Sequence, residues 1–314
     1  MTKFYFAISL KSKQNSDNWG LVADNLKQTL ISIKNSSCQN YHIVIATNDP
    51  EDLERIIDTN RTTLVHADFD APKAKIQKGA SDKHKKRRLI GSYLANIETD
   101  PFYVMFLDAD DLIHKDLVGH VLSDDNHRGY IVSEGYVLDI AEGELRRKNE
   151  FDTICGSCYI GYFYPEEMPK STDDMECYYS EHMGHRRHIK IATKNGRKPD
   201  SIPFPGTIYI RGHEESLQTV KKKWKLHKSS TLKLFLTLFF IEKKIRHLIN
   251  NMNVTGYHKK RQKANKMLQE KYGLHSPPPL KVIILGKRRL RFIHSFFKKY
   301  YDYAYMRLKY TNKI

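Results

Sequence analysis

Short apolar runs alternate with segments of helical periodicity over the first hundred residues. Residues 3–10 (KFYFAISL) are aromatic, β-branched and apolar throughout, the pattern of a strand buried on both faces. In 20–34 (GLVADNLKQTLISIK), Leu21, Val22, Asn25, Leu26, Thr29, Leu30 and Ile33 recur at helical spacing, which predicts an amphipathic helix. YHIVIATND (41–49) predicts a second strand closed by a turn at Asn48-Asp49-Pro50. LERIIDT (53–59) predicts a short helix, and TTLVHAD (62–68) a third strand. KHKKRRLIGSYLANIE (83–98) reads as a helix with a basic first turn and an apolar second half. FYVMFLDADD (102–111) reads as a fourth strand, apolar until it meets three acids. The order β-α-β-α-β-α-β predicts an α/β fold with a doubly wound sheet and right-handed crossovers. Ligands of such sheets bind beyond the carboxyl ends of the strands. Asn48, Asp49, Asp68, Asp108 and Asp110 all fall there.

Farther on, 131–147 reads as a hairpin, 172–183 as a polar helix, and IPFPGTIYIRGH (202–213) as a strand ending in His213. Composition then changes abruptly. From residue 216 onward there are 25 Lys and Arg against 3 Asp and Glu, a net of +22, whereas the first 215 residues carry 28 against 33. The protein is thus a mildly acidic body (1–216) followed by a basic, mainly helical extension (217–314). Within the extension, Leu234, Leu238, Ile241, Ile245 and Leu248 share one helical face. A basic segment spans 257–271, a break follows at Pro277-Pro278-Pro279, and Phe292, Ile293, Phe296, Phe297, Tyr300 and Ala304 define a second face. Apolar faces bordered by Lys and Arg suit an anionic membrane surface. The alternative is that they pack on the body. The longest apolar run, 232–241, is half the length of a membrane span, and the first residues lack the pattern of a signal peptide. Four cysteines make no disulfide scaffold. A cytoplasmic protein, peripheral on the inner face of the cytoplasmic membrane, is the expectation. The extension matches no base-reading module, so nucleic acid is not expected as a partner, although phosphate affinity needs no such module.

The strongest chemical signal is Phe106-Leu107-Asp108-Ala109-Asp110-Asp111. A strand that delivers carboxylates at its exposed end suits Mg²⁺ or Mn²⁺, which takes one or two carboxylates and fills its remaining positions with phosphate oxygens and water. On an extended chain the i, i+2 spacing puts Asp108 and Asp110 on one side, one for a ribose and one for the metal. Cys155-Gly156-Ser157-Cys158 has metal or redox spacing, but a structural zinc needs a second pair, such as Cys177 with a His. A glycine-containing loop with buried thiols is the simpler reading. His182, His185 and His188 in HMGHRRH read as a basic patch in preference to a metal triad.

This run, a basic helix followed by DPFYVMFLDADD, resembles the GT-A glycosyltransferases, particularly family 2, over residues 3–122 and more loosely to 216. The chain departs from that family where the second strand ends Ala46-Thr47-Asn48-Asp49-Pro50 instead of in a DDGS-like turn. The resemblance implies a GT-A, Rossmann-like nucleotide-sugar domain with Mn²⁺ or Mg²⁺. It makes Asp110 the metal ligand and Asp108 its partner or a ribose ligand. Asp111 would orient the acceptor or cap a helix over 112–122, and Asp49 or Asp68 would meet the uracil or ribose. Lys83 and Arg88 would contact the nucleotide or diphosphate, although a solvated face suits most of the KHKKRR charges. A late His such as His213 often completes the metal sphere in the family. Asp173 or Asp174 stands where the family brings a catalytic base, with Glu181 a weaker candidate and a helix N-terminus the alternative role. The implied activity is transfer of a sugar from a nucleotide-diphosphate donor, UDP foremost, to a glycan or lipid-linked glycan acceptor in surface polysaccharide synthesis. The rival enzyme class, a sugar-nucleotide nucleotidyltransferase, uses a Gly-rich loop after the first strand. Here that turn is Lys11-Ser12-Lys13-Gln14-Asn15, with no glycine before Gly20.

Overall fold

The computed structural model describes residues 2–70, 79–124, 126–141, 143–216 and 254–274. Four parallel strands, β1 (Lys3–Ser9), β2 (His42–Thr47), β3 (Thr62–His66) and β4 (Phe102–Leu107), lie in the order β3-β2-β1-β4. Their crossovers include α1 (Trp19–Lys34) and α2 (Gly79–Ile97). Every residue of β4 is buried, as are Phe4 to Ile8 of β1, which is why both read as unbroken apolar runs. Asn18 caps α1 by accepting from Leu21 N at 3.1 Å, and the predicted face (Val22, Leu26, Thr29, Ile33) is the buried one.

Beyond β4 the chain continues through β5 (Leu112–Ile113), α3 (Leu117–Val121), β6 (Tyr130–Ile131), β7 (Glu134–Asp139), β8 (Glu144–Asn149) and β9 (Tyr159–Phe163). Then come α4 (Tyr178–Glu181), α5 (His188–Lys194), β10 (Asp200–Ser201), β11 (Thr207–Arg211) and α6 (Val254–Tyr272). β9 joins β4 antiparallel, and β6 and β10 extend that sheet to seven strands. A second sheet has the order β5-β11-β7-β8. Its own core, Leu112, Leu138, Ile208 and Ile210, is closed by Leu268 and Tyr272 of α6 together with Leu274. Tyr272 donates its hydroxyl to Pro205 O at 2.6 Å, and Lys115 N donates to Lys271 O at 2.8 Å. The basic segment at 257–271 is therefore helical and packs on the body at its C-terminal end. The two amphipathic faces at 229–249 and 287–309 lie outside the described residues.

Several expectations are corrected. Residues 53–59 form turns held by three-residue bonds such as Ile56 N to Leu53 O, not a helix. β4 ends at Leu107, so the acids occupy a turn closed by Asp111 N donating to Asp108 O at 3.1 Å. Asp111 caps no helix, because α3 begins at Leu117 after Asp116. The predicted helix over 172–183 shrinks to Tyr178–Glu181, whose N-cap is Cys177.

Candidate active site

β1 lies between β2 and β4, so the strand order reverses direction at β1/β4, where an open parallel sheet leaves its ligand crevice. The acidic turn stands at the carboxyl end of β4 on that seam, and its three carboxylates face three different surroundings. Asp110 turns to β11: its Oδ2 lies 3.0 Å from His213 Nε2. His213 is 7% exposed, and its Nδ1 has no partner among the described residues. It follows Gly212, whose φ of 84° is natural to glycine, and any Cβ there would meet Asp139 Oδ1 at 2.6 Å. Two residues after His213 the chain is tied back to the segment following β1. Glu215 accepts from Lys11 Nζ at 2.6 Å and from Asn18 N.

Asp108 turns the other way, to α2. Its Oδ1 accepts from Lys83 Nζ at 2.5 Å and Arg87 Nη2 at 3.3 Å. Burial alone would raise the Asp108 carboxyl, but the two cations and the Lys83 hydrogen bond outweigh it and hold the group below the ordinary carboxylate value. Asp108 and Asp110 therefore do not share a face. Among the described residues no three His, Cys, Asp or Glu converge on one point, so the expected Asp108–Asp110–His213 ligand set does not form. Asp110 and His213 do meet.

Asp111 is fully buried. Its Oδ2 accepts from Ser157 Oγ at 2.6 Å and Cys155 Sγ at 3.3 Å, and its Oδ1 accepts from Ile210 N at 3.1 Å. Burial first, and then its neighbours Asp110 and Asp108, push its carboxyl well above the ordinary value. A group so enclosed cannot orient an acceptor, and that expectation is corrected.

The basic helix departs most from its expected face. Lys86, Arg87 and Arg88 are buried, not solvated. Lys86 donates to Leu10 O at 2.8 Å and Asp82 Oδ2 at 3.1 Å, bracing the end of β1. The Arg87 guanidinium lies 4.6 Å from the Phe106 ring centre while reaching Asp108. Arg88 donates to Thr172 O, so Arg87, not Arg88, faces the acids. Positions 83, 87, 90 and 94 share one helical stripe with the buried Ile90 and Leu94, and that period was the available signal for Arg87.

Asp49 Oδ2 accepts from Lys13 N at 2.8 Å at the end of β2, and Asp68 is exposed with no partner among the described residues. Asp173 and Asp174 do not approach the acidic turn through any bond or ion pair. Asp173 pairs with Lys85 at 3.4 Å, and Asp174 accepts from Lys170 N at 3.0 Å and Glu176 N at 3.3 Å, closing its own turn. Glu181 is exposed. Of the HMGHRRH histidines, His182 and His188 are core residues stacked on Tyr159 at ring distances of 4.4 and 4.6 Å, which corrects the basic-patch expectation for both. Burial lowers His182 to about 3 and holds His188 well below the ordinary value.

No protein-family model and no curated protein matches the chain. Among solved structures it is similar to a 4-diphosphocytidyl-2C-methyl-D-erythritol synthase, with a TM-score of 0.36 and 8% identity, over 64% of this chain and 88% of that one. A likeness of that size carries no weight on activity. The α/β class rests on the strand order itself.

Proposed function

We propose that the chain is a divalent-cation-dependent glycosyltransferase of the GT-A type. It moves a sugar from a nucleotide-diphosphate donor, UDP-linked in first place, to a glycan or lipid-linked glycan acceptor. The observation that carries this reading is the Asp110–His213 pair, 3.0 Å apart at the β1/β4 seam although 103 residues separate the two in sequence. One carboxylate and one imidazole suit Mn²⁺ or Mg²⁺. Octahedral bonds of about 2.1 Å put neighbouring ligand atoms about 3 Å apart, so this pair fits two adjacent positions. Diphosphate oxygens and water would fill the remainder. When bound, the cation neutralises charge on the departing diphosphate as a Lewis acid. The residues supply the rest: Lys83, one-third exposed, is the cation of α2 able to reach a diphosphate, while buried Arg87 holds Asp108 in place. The basic extension would keep the enzyme on the inner face of an anionic membrane, next to a lipid-linked acceptor.

A thermal-shift series with UDP-, GDP- and CDP-sugars and with nucleoside triphosphates, each with and without Mn²⁺, tests the reading. The expected result is Mn²⁺-dependent stabilisation by a nucleotide sugar that Asp110→Ala abolishes and His213→Ala weakens, with both variants folded. Near-wild-type turnover in Asp110→Ala overturns it. Stabilisation by a triphosphate alone would favour the nucleotidyltransferase alternative.

A further inference from the structure

The Cys155-Gly156-Ser157-Cys158 loop has metal or redox spacing, yet its thiols are free and buried, and among the described residues it joins no metal cluster. Its contacts point elsewhere. Ser157 is fully buried, and its single hydroxyl grips both ends of the acidic turn. Asp108 N donates to Ser157 Oγ at 2.9 Å, and Ser157 Oγ donates to Asp111 Oδ2 at 2.6 Å. Asp110 lies between those two anchors. The same hub reaches the other half of the pair. Asp111 Oδ1 accepts from Ile210 N, and Thr207 Oγ1 donates to Ser157 O at 3.0 Å, fixing both ends of β11 just before His213. Cys155 Sγ donates to Asp111 and accepts from Ser157 N at 3.3 Å, closing the loop on itself. Gly156 leaves no room beside the turn, since a Cβ there would sit 2.9 Å from Asp108 Oδ2.

We infer that Ser157 is a positioning residue for the Asp110–His213 pair, and that the CGSC loop is the cradle of the acidic turn, not a metal or redox motif. The inference rests on the cation reading of that pair. Hydrogen-bond partners of metal ligands orient them, and their loss typically costs about 10–100-fold in metal affinity. Ser157 acts one residue farther out, through both flanks of Asp110, which places its effect at the lower end. A role confined to stability would lower the melting temperature and leave that affinity unchanged.

The test is titration of the full-length protein with Mn²⁺ alone, read by calorimetry well below the melting temperature of each variant. Ser157→Ala should weaken Mn²⁺ binding about 10-fold. Ser157→Cys fills the same space with a weak donor and acceptor and should fall between. Tyr103→Phe breaks a buried bond, from Tyr103 Oη to Asn126 O at 2.6 Å, that lies outside this hub and touches neither the turn nor β11. It should lower the melting temperature yet bind Mn²⁺ as wild type does. If Ser157→Ala does not fold, Ser157→Cys carries the measurement. Wild-type Mn²⁺ affinity in either soluble Ser157 variant, with binding lost in Asp110→Ala, overturns the inference and leaves the cation reading standing. Undiminished binding in both Asp110→Ala and His213→Ala overturns the cation reading itself.

Discussion

The two sheets complete their cores differently. In the seven-strand sheet, β1, β2 and β4 are apolar on both faces and are covered by α1 and α2, elements that follow their strands within a few tens of residues. In the four-strand sheet, β11 presents Ile208 and Ile210 to Leu268, Tyr272 and Leu274, which arrive from beyond residue 253. The first sheet delivers Asp108 and Asp110, and the second delivers His213. Half of the candidate site is therefore built from local crossovers, and the other half depends on a segment that charge alone would assign to a detachable extension.

The largest expected effect comes from removing that segment. Ending the chain at residue 216 keeps every candidate site residue, and from sequence it should leave donor binding intact. The packing of α6 predicts instead an aggregating protein, or one whose melting temperature collapses, because Leu112, Leu138, Ile208 and Ile210 lose their cover. Leu268→Ala sharpens the comparison. It should cost about 2–5 kcal/mol in urea unfolding and weaken Mn²⁺ binding through β11. A soluble chain ending at residue 216, with wild-type melting and Mn²⁺ affinity, would return α6 to the role of a separate extension.

The same contrast explains what could be read in advance. β1, β2 and β4 were legible because an apolar run of strand length has few other uses, and β3 (TTLVH) because β-branched residues favour strands; the strand order then placed the acids beyond the sheet. The meeting of Asp110 with His213 follows a family resemblance, but the separation of Asp108 from Asp110 was not legible. It depends on β4 stopping at Leu107, which is set by the Ser157 hydroxyl 46 residues from Asp111. The basic helix misled because Lys and Arg usually mark a solvated face. Here Asp82, one helical turn before Lys86, supplies a local partner, but Asp108 and the Leu10 carbonyl lie on tertiary paths that no local pattern encodes. Asp173 and Asp174 were placed by analogy of position, and Lys85 and the turn at Lys170 hold them away from the acids.

Acid should cost the larger core more than the smaller, because two buried imidazoles stand there against one. His182 and His188 stack with Tyr159, with their Nδ1 atoms 3.2 Å apart. Arg87, Lys83 and His185 face His188, Arg197 faces His182, and Tyr178 packs edge-on against His182. An unfolded chain protonates both rings near 6.5, whereas the folded chain keeps them neutral, His182 down to about 3. Between those values the unfolded state binds more protons, so stability falls as pH falls through this window. The loss is up to about 2 kcal/mol per ring between pH 6.5 and 5. Asp111 works in the opposite sense, because its raised carboxyl takes up a proton in the folded state first. In the smaller core His114, lowered to about 4, is the counterpart, beside Phe204 and Tyr272. Urea unfolding from pH 7.5 to 5 should show the fall, and His182→Phe with His188→Phe should flatten it. An unchanged slope in that double variant would mean the pH dependence arises elsewhere.

The smallest effect is expected at Asp173, where the analogy and the geometry disagree most sharply. The analogy makes it a base, which would have to stand within hydrogen-bond reach of the acceptor hydroxyl. Its side chain is 78% exposed, and it pairs with the partly exposed Lys85 of α2, a surface pair that contributes little. No bond links it to Asp108, Asp110, Lys83 or His213. Asp173→Asn keeps the shape and removes the basic oxygen, so a catalytic base would lose turnover by 10²-fold or more. The geometry predicts turnover within about twofold of wild type and unfolding within about 0.5 kcal/mol. Steady-state kinetics with saturating donor separates the two readings. A collapse of kcat with unchanged KM for the donor would restore Asp173 to the reaction and require the 172–174 turn to swing toward the acids during turnover.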